Sequence, residues 1–408
     1  MDDKRLSATL SAVELVRKGC TSAFDLFVEV PCPSRDGLDA VAEGYAAVGI
    51  RAVIAPMMAD RTLYQALPGL TESLPVPLQN QVRKLPAAPL ETSIAACREI
   101  LKTWSHDHTR LRPALGPTIP LHCSDEFLVA CRDLAREFGV RLQTHLAETK
   151  AQAVLGLAKY GRSLTRHLES LGVLGPGCSA AHAIWLDDDD IGRLAATGTS
   201  VVHNPMSNLR IGSGVAAARR LLSAGVRLGI GTDASNTSDG QNMFEALRLA
   251  AFLSRICSPD TSEWLSAEEV FHAATRGSAE ILGFERLGVL EPGYAADIVF
   301  LDLRHINYVP LRAPLRQLVF TENGAAIDSV MIDGRFVLRH GTMLTVDEAR
   351  LRAHAAEAVE RLDRANAAAR QQSAALADII GRFCLGQARA PFAAHRRLPD
   401  GQNAGKGL

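Results

Sequence analysis

Seven short apolar runs, at residues 20–27, 50–57, 111–116, 140–145, 178–182, 200–203 and 226–232, are separated by longer amphipathic stretches. The latter include 124–138, 163–171, 187–196, 214–224 and 242–254, where apolar residues recur at helical spacing. Runs without polar alternation suit strands buried on both faces, and strand–helix alternation is the pattern of a parallel sheet. Over this length it favours a closed barrel over an open doubly wound sheet. The predicted fold class is therefore α/β, a (β/α)8 TIM-type barrel. A barrel of this type closes with eight strands. The seven runs thus predict a barrel lacking its first strand, with a gap between the run at 20–27 and that at 226–232.

The start, MDDKRLSATLSAVELVRKG, carries Leu6, Leu10, Val13 and Val16 at helical spacing and has acids where a signal peptide would be basic. It reads as an amphipathic helix. After 285 the texture changes. GVLEPGYAADIVFLDL and SVMIDGRFVLRHG combine apolar runs with turns, and Asp333-Gly334 marks a hairpin. Ala, Arg and Glu then dominate to about 376, which predicts a helix, with a frayed tail from 388. The expected division is a barrel over 1–285, a small β domain over 286–345, and a C-terminal helix and tail over 346–408.

Composition narrows the function. With 44 basic and 45 acidic residues the chain has no cationic excess for nucleic acid. No apolar run reaches membrane-spanning length. Eight cysteines (20, 32, 97, 123, 131, 178, 257 and 384) show no C-x-x-C spacing, which predicts reduced thiols and a cytoplasmic location. P-loop, G-x-S-x-G and H-E-x-x-H motifs are absent from the sequence. GSGVAA near Gly212 follows no predicted strand and makes a poor dinucleotide loop.

Polar residues end four of the runs: His145, His182, His203 and Asp233. The carboxyl ends of barrel strands form the catalytic face. One buried histidine there is commonly a satisfied core residue. Four polar groups ending four successive strands would cost several kcal/mol unless paired or bound to metal. Glu148 follows His145 as H-x-x-E, within reach of the same site as a proton carrier. Asp233 follows Gly229 and Gly231 on a tight turn, placed to ligate a metal and accept a proton.

The motifs HLAET, AHAIWLDDDDI, HNPMSNLRIGSG, GTDASNTSDGQNMFEALRLA and GVLEPGYAADIV, in this order, resemble the amidohydrolase superfamily. The branch they resemble holds adenosine-type and S-adenosylhomocysteine-type deaminases and s-triazine chlorohydrolases. The resemblance implies a hydrolase acting on an aminated purine, pyrimidine or triazine through metal-activated water. It implies one divalent ion, zinc, with iron as the other candidate. His145 and Asp233 would be metal ligands, and Glu148, His182 and Asp233 catalytic. His203, Asn204, Ser207 and Asn208 would line the substrate. The implied partner is a small heterocycle, without nucleic acid or membrane and with room for a homo-oligomer.

Two departures go with it. The H-x-H pair of that branch is missing from its expected place, because His106 and His108 lie in WSHDHTR, which reads as a surface turn. In GPTIPLHCS, Thr118 stands near the position of a histidine in nucleoside deaminases, and His122 lies four residues on. With two of the four expected ligands missing, the sequence predicts weak metal binding and slow turnover. The alternative expectation is a truncated, metal-poor relative that binds a ligand or partner without turnover.

Overall fold

The structure is a computed structural model that describes residues 1–85 and 87–396. The predicted tail beyond 396 lies outside the described residues. Seven parallel strands form one curled sheet: β1 Ser22–Val28, β2 Arg51–Met58, β3 Leu111–Pro117, β4 Arg141–Leu146, β5 Cys178–His182, β6 Ser200–His203 and β7 Leu228–Ile230. All seven predicted runs became strands, in sequence order across the sheet. Helices return the chain between them. Their starts and stops are local: Ser34 and Ser124 accept the backbone N–H groups of Gly37 and Phe127, and Gly49 and Gly139 end those helices in the left-handed region.

Among the described residues β1 and β7 pair with no eighth strand. The gap therefore lies where the run count placed it. Its edges are managed by the segment that follows. Ser278 Oγ accepts the N–H of Ile230 at 3.3 Å, so a hydroxyl serves part of the β7 edge. Ala279, Leu282, Phe284 and Leu287 pack with Val53, Ala55 and Ala114, and with Phe24 and Leu26 of β1. Arg112 donates to the carbonyl of Gly283. The opening helix, Asp2–Arg17, forms as expected and buries Val13 and Val16.

A second, antiparallel sheet has the order β11-β10-β9-β8, from β8 Ile298–Leu301, β9 Ile327–Ile332, β10 Arg335–Arg339 and β11 Thr342–Met343. Asp333 and Gly334 both have positive φ, 53° and 75°, which suits the tight two-residue turn between β9 and β10. Two differences from the sequence reading occur near the C-terminus. The last helix runs Glu348–Ala388, beyond the expected end near 376. Ile380 and Phe383 pack on the main core, which outweighs the poor helix propensity of Gly381 and Gly386. Residues 389–396, expected to fray, instead return to the barrel, where Ala394 is buried and Phe392 packs on Trp185.

Candidate active site

Parallel strands end on one face, so β4, β5 and β6 deliver His145, His182 and His203 side by side. Asp233 lies three residues beyond β7. The N–H and Nδ1 of His145 both point at the Thr118 carbonyl, at 2.8 and 2.6 Å. A carbonyl can only accept, so Nδ1 carries the proton and Nε2 keeps its lone pair. His182 follows the same logic: Nδ1 lies 2.8 Å from Asn208 Oδ1, with both residues 1% exposed. The free Nε2 is 3.9 Å from Glu148 Oε1 and 3.9 Å from Asp233 Oδ2. The His145 and His182 rings stack with centroids 5.6 Å apart.

The backbone here is strained. Ala147, His182, Ala183 and Asp233 all have positive φ without being glycine, a state costing about 1–3 kcal/mol each. Such conformations persist where surrounding bonds impose them. Ala183 and Trp185 donate to the carbonyls of Leu146 and Ala147, both at 3.0 Å, and Asp233 Oδ1 accepts the N–H of Ala234 at 2.8 Å.

Burial lowers the basicity of His145, and the neighbouring His182 lowers it further, so the ring is neutral. Burial, followed by His182, takes His203 down to about 4. For Asp233, burial opposes ionisation. His182 and the Ala234 N–H, among other contacts, outweigh it and hold the carboxyl below its usual range.

This donor chemistry fits a divalent cation. Two imidazoles present oriented lone pairs towards a face that also carries an ionised carboxylate, and each is held by a second group behind it. The arrangement is open. Among the described residues, only Asp187, Asp189 and Asp190 bring three donor atoms within 4.8 Å of one another. That acidic group is otherwise engaged: Asp187 caps the helix Asp188–Thr197, and Asp189 pairs with Arg166 and Arg193.

The remaining predicted residues lie behind and beside this group. His203, Asn204, Ser207 and Asn208 are at most 5% exposed. His203 Nδ1 and Asn208 Nδ2 have no hydrogen-bond partner in the protein. Asn208 Oδ1 is committed to His182. The sequence offered no sign of this, nor of the Thr118 carbonyl behind His145. Both depend on which loops the fold places beside the strand ends. His106 pairs with Asp39 at 3.1 Å, in keeping with a surface turn. Replacing Asn208 by Ala leaves the buried Nδ1–H of His182 unpaired and is expected to destabilise the fold by about 1–3 kcal/mol. Chemical denaturation would measure it, and no loss would show that the bond contributes nothing.

A 5'-deoxyadenosine deaminase of Methanopyrus kandleri is 31% identical over 360 residues, which is 88% of this chain and 76% of that protein. A 5-methylthioadenosine/S-adenosylhomocysteine deaminase of Desulforudis audaxviator is 32% identical over 363 residues, again 88% and 76%. Among solved structures, an adenosine deaminase from Xanthomonas campestris with bound zinc superposes with a TM-score of 0.77 at 28% identity, covering 88% of this chain and 75% of that one. An atrazine chlorohydrolase from Arthrobacter aurescens complexed with zinc gives 0.78 at 29%, covering 86% and 76%. The Amidohydrolase family itself matches residues 2–337, so the chain belongs to the Amidohydrolase family.

Proposed function

We propose that this chain hydrolyses a C–N or C–Cl bond of an aminated heterocycle, and that residues 1–285 carry that activity. The observation that supports this most is the approach of Glu148 and Asp233 to one face of His182, at 3.9 Å each. The β unit at 286–345 and the helix and tail at 346–408 would support the barrel. His145 and Asp233 would hold one divalent ion, zinc first and iron second. The ion would supply the Lewis acidity that makes a water nucleophilic at neutral pH.

The chain's own groups account for the rest. Asp233 takes a proton from the attacking water. His182, its tautomer set by Asn208, directs Nε2 at that water. Glu148 passes a proton to the ring nitrogen, and the proton taken by Asp233 goes to the departing nitrogen, which leaves as ammonia or an amine, whereas chloride leaves without one. His203, Asn204 and Ser207 would shape the inner wall against which the ring rests. The deaminases and chlorohydrolases similar to this chain suggest 6-aminopurine nucleosides and s-triazines as the first substrates to try. No helix among the described residues is long and apolar enough to cross a membrane. We place the protein in the cytoplasm, working on a small heterocycle without nucleic acid and with room for a homo-oligomer.

The test is direct. The purified chain, loaded with zinc or iron(II), is incubated with 5'-deoxyadenosine, S-adenosylhomocysteine and atrazine, and ammonia, amine and chloride are measured. Release from at least one substrate is expected, and a chelator should abolish it readily because the site is open. Metal bound at His145 and Asp233 with no release from any substrate would overturn the reading.

A further inference from the structure

The segment that returns from the last helix reaches the loop that follows His182. Arg396 Nε donates to the carbonyl of Ile184 at 2.9 Å, and Nη2 to that of Leu186 at 2.6 Å. One guanidinium fork thus grips two carbonyls of a four-residue stretch that begins directly after His182. The Arg396 carbonyl accepts the N–H of Val215 at 2.7 Å. This close approach requires Gly214, since a Cβ there would lie 2.6 Å from the Arg396 oxygen. The segment therefore joins the loop that follows His182, the last residue of β5, to the stretch after β6, where Asn208 lies on the short helix Pro205–Arg210. Trp185 Nε1 donates to Ser213 O at 2.8 Å across the same junction, and Phe392 packs edge-on against Trp185 with ring centroids 6.2 Å apart.

This junction lies where the backbone is least relaxed. His182 and Ala183 are consecutive non-glycine residues at φ 69° and 49°. From the β4 side, Ala183 and Trp185 are held by the Leu146 and Ala147 carbonyls. Arg396 takes the carbonyls of both Ile184 and Leu186. A strained stretch keeps its shape only while it is held from all sides.

We infer that Arg396 is a positioning residue: its fork on Ile184 and Leu186 fixes the loop after β5 and so keeps His182 Nε2 aimed at Glu148 and Asp233. Arg396 touches neither of those carboxylates and acts through the backbone. Its catalytic consequence rests on the proposed hydrolase reading, whereas its effect on the loop does not.

The experiment uses the full chain with Arg396→Ala and Arg396→Lys. Amide hydrogen exchange is followed without substrate or metal, so failure of the hydrolase reading cannot mask the result. In R396A the amides of Ala183 and Trp185 are expected to exchange at least about tenfold faster, with β2 and β3 unchanged. R396K keeps the charge and the stem but lacks the fork, so it should loosen the same amides and no others. With an active preparation, kcat should fall about tenfold with KM within about twofold, because aim is lost and binding is not. Free guanidinium at millimolar concentration should restore kcat to R396A and leave the wild type unaffected. Unchanged protection at Ala183 and Trp185 in both variants would overturn the inference. So would faster exchange with unchanged kcat, or loosening of the whole barrel by R396K. If R396A alone loosens the whole barrel, the R396K result decides.

Discussion

Glu148→Gln is expected to lower kcat by about 10²–10⁴-fold while leaving KM and stability nearly unchanged. The substitution is isosteric, so it keeps the backbone bond from the Glu148 N–H to Gln152 Oε1, at 3.0 Å. It removes only the capacity to bind and release a proton. Glu148 is suited to that task by position. Its side chain is 15% exposed, enough to meet a substrate, and Oε1 faces His182 Nε2. A carboxylate in this place can collect a proton on the water side and deliver it to a ring nitrogen. An amide cannot. The measurement is steady-state kinetics on whichever heterocycle the metal-loaded chain turns over, with thermal unfolding as a control. Loss of less than about fivefold would mean that another group carries the proton, and a parallel loss of stability would point to a structural role.

Arg51→Ala is expected to cost about 3–5 kcal/mol of stability. Arg51 opens β2, and its side chain is 5% exposed. Its Nε and Nη2 donate to both oxygens of Asp297 at 3.0 and 3.1 Å, and Asp297 is 2% exposed. Nη2 also reaches Asp333 at 2.8 Å, and Nη1 the Thr109 carbonyl at 2.6 Å. Asp297 and Asp333 belong to the second sheet region, so this one guanidinium ties the barrel to the β unit. Truncation leaves Asp297 buried without its cation, with the Asp333 N–H at 2.9 Å still bonded to Oδ1, and the loss of the charge partner sets the magnitude. The exposed partner, Asp333, adds little. Urea unfolding of R51A and of the paired variant R51M with D297L separates the terms. The double variant should recover most of the loss, because both charges go together. A cost below about 1 kcal/mol for R51A would show the pair to be energetically idle.

The two substitutions act on features of different legibility. Glu148 stands out in the sequence through its spacing from His145 at a strand end. Asp297 does not. It lies in YAADIVFLDL as one acid among several, and only the approach of β8 to the start of β2 gives it a partner. Residues 380–383 show the same dependence. The Ala, Arg and Glu enrichment fades near 376, yet Ile380 and Phe383 find the core and the helix continues to Ala388.

The sequence by itself determined the strands, their order and the face on which the candidate site lies. Buried parallel strands must be apolar on both sides, so each appears as an unbroken run, and a polar residue closing such a run stands out. Because every strand of a parallel sheet ends on the same face, His145, His182, His203 and Asp233 could be gathered before any coordinates. The run count also located the gap between β1 and β7. Only the tertiary structure decided what holds those side chains in register. The Thr118 carbonyl behind His145 has no side-chain signature, since every residue offers a carbonyl. Asn208 behind His182 required the placement of the short helix Pro205–Arg210 after β6. The Ser278 hydroxyl at the β7 edge and the Arg396 fork after His182 come from 48 and 212 residues away along the chain. Periodicity reports on neighbours in sequence, whereas the groups that orient this site are neighbours only in space.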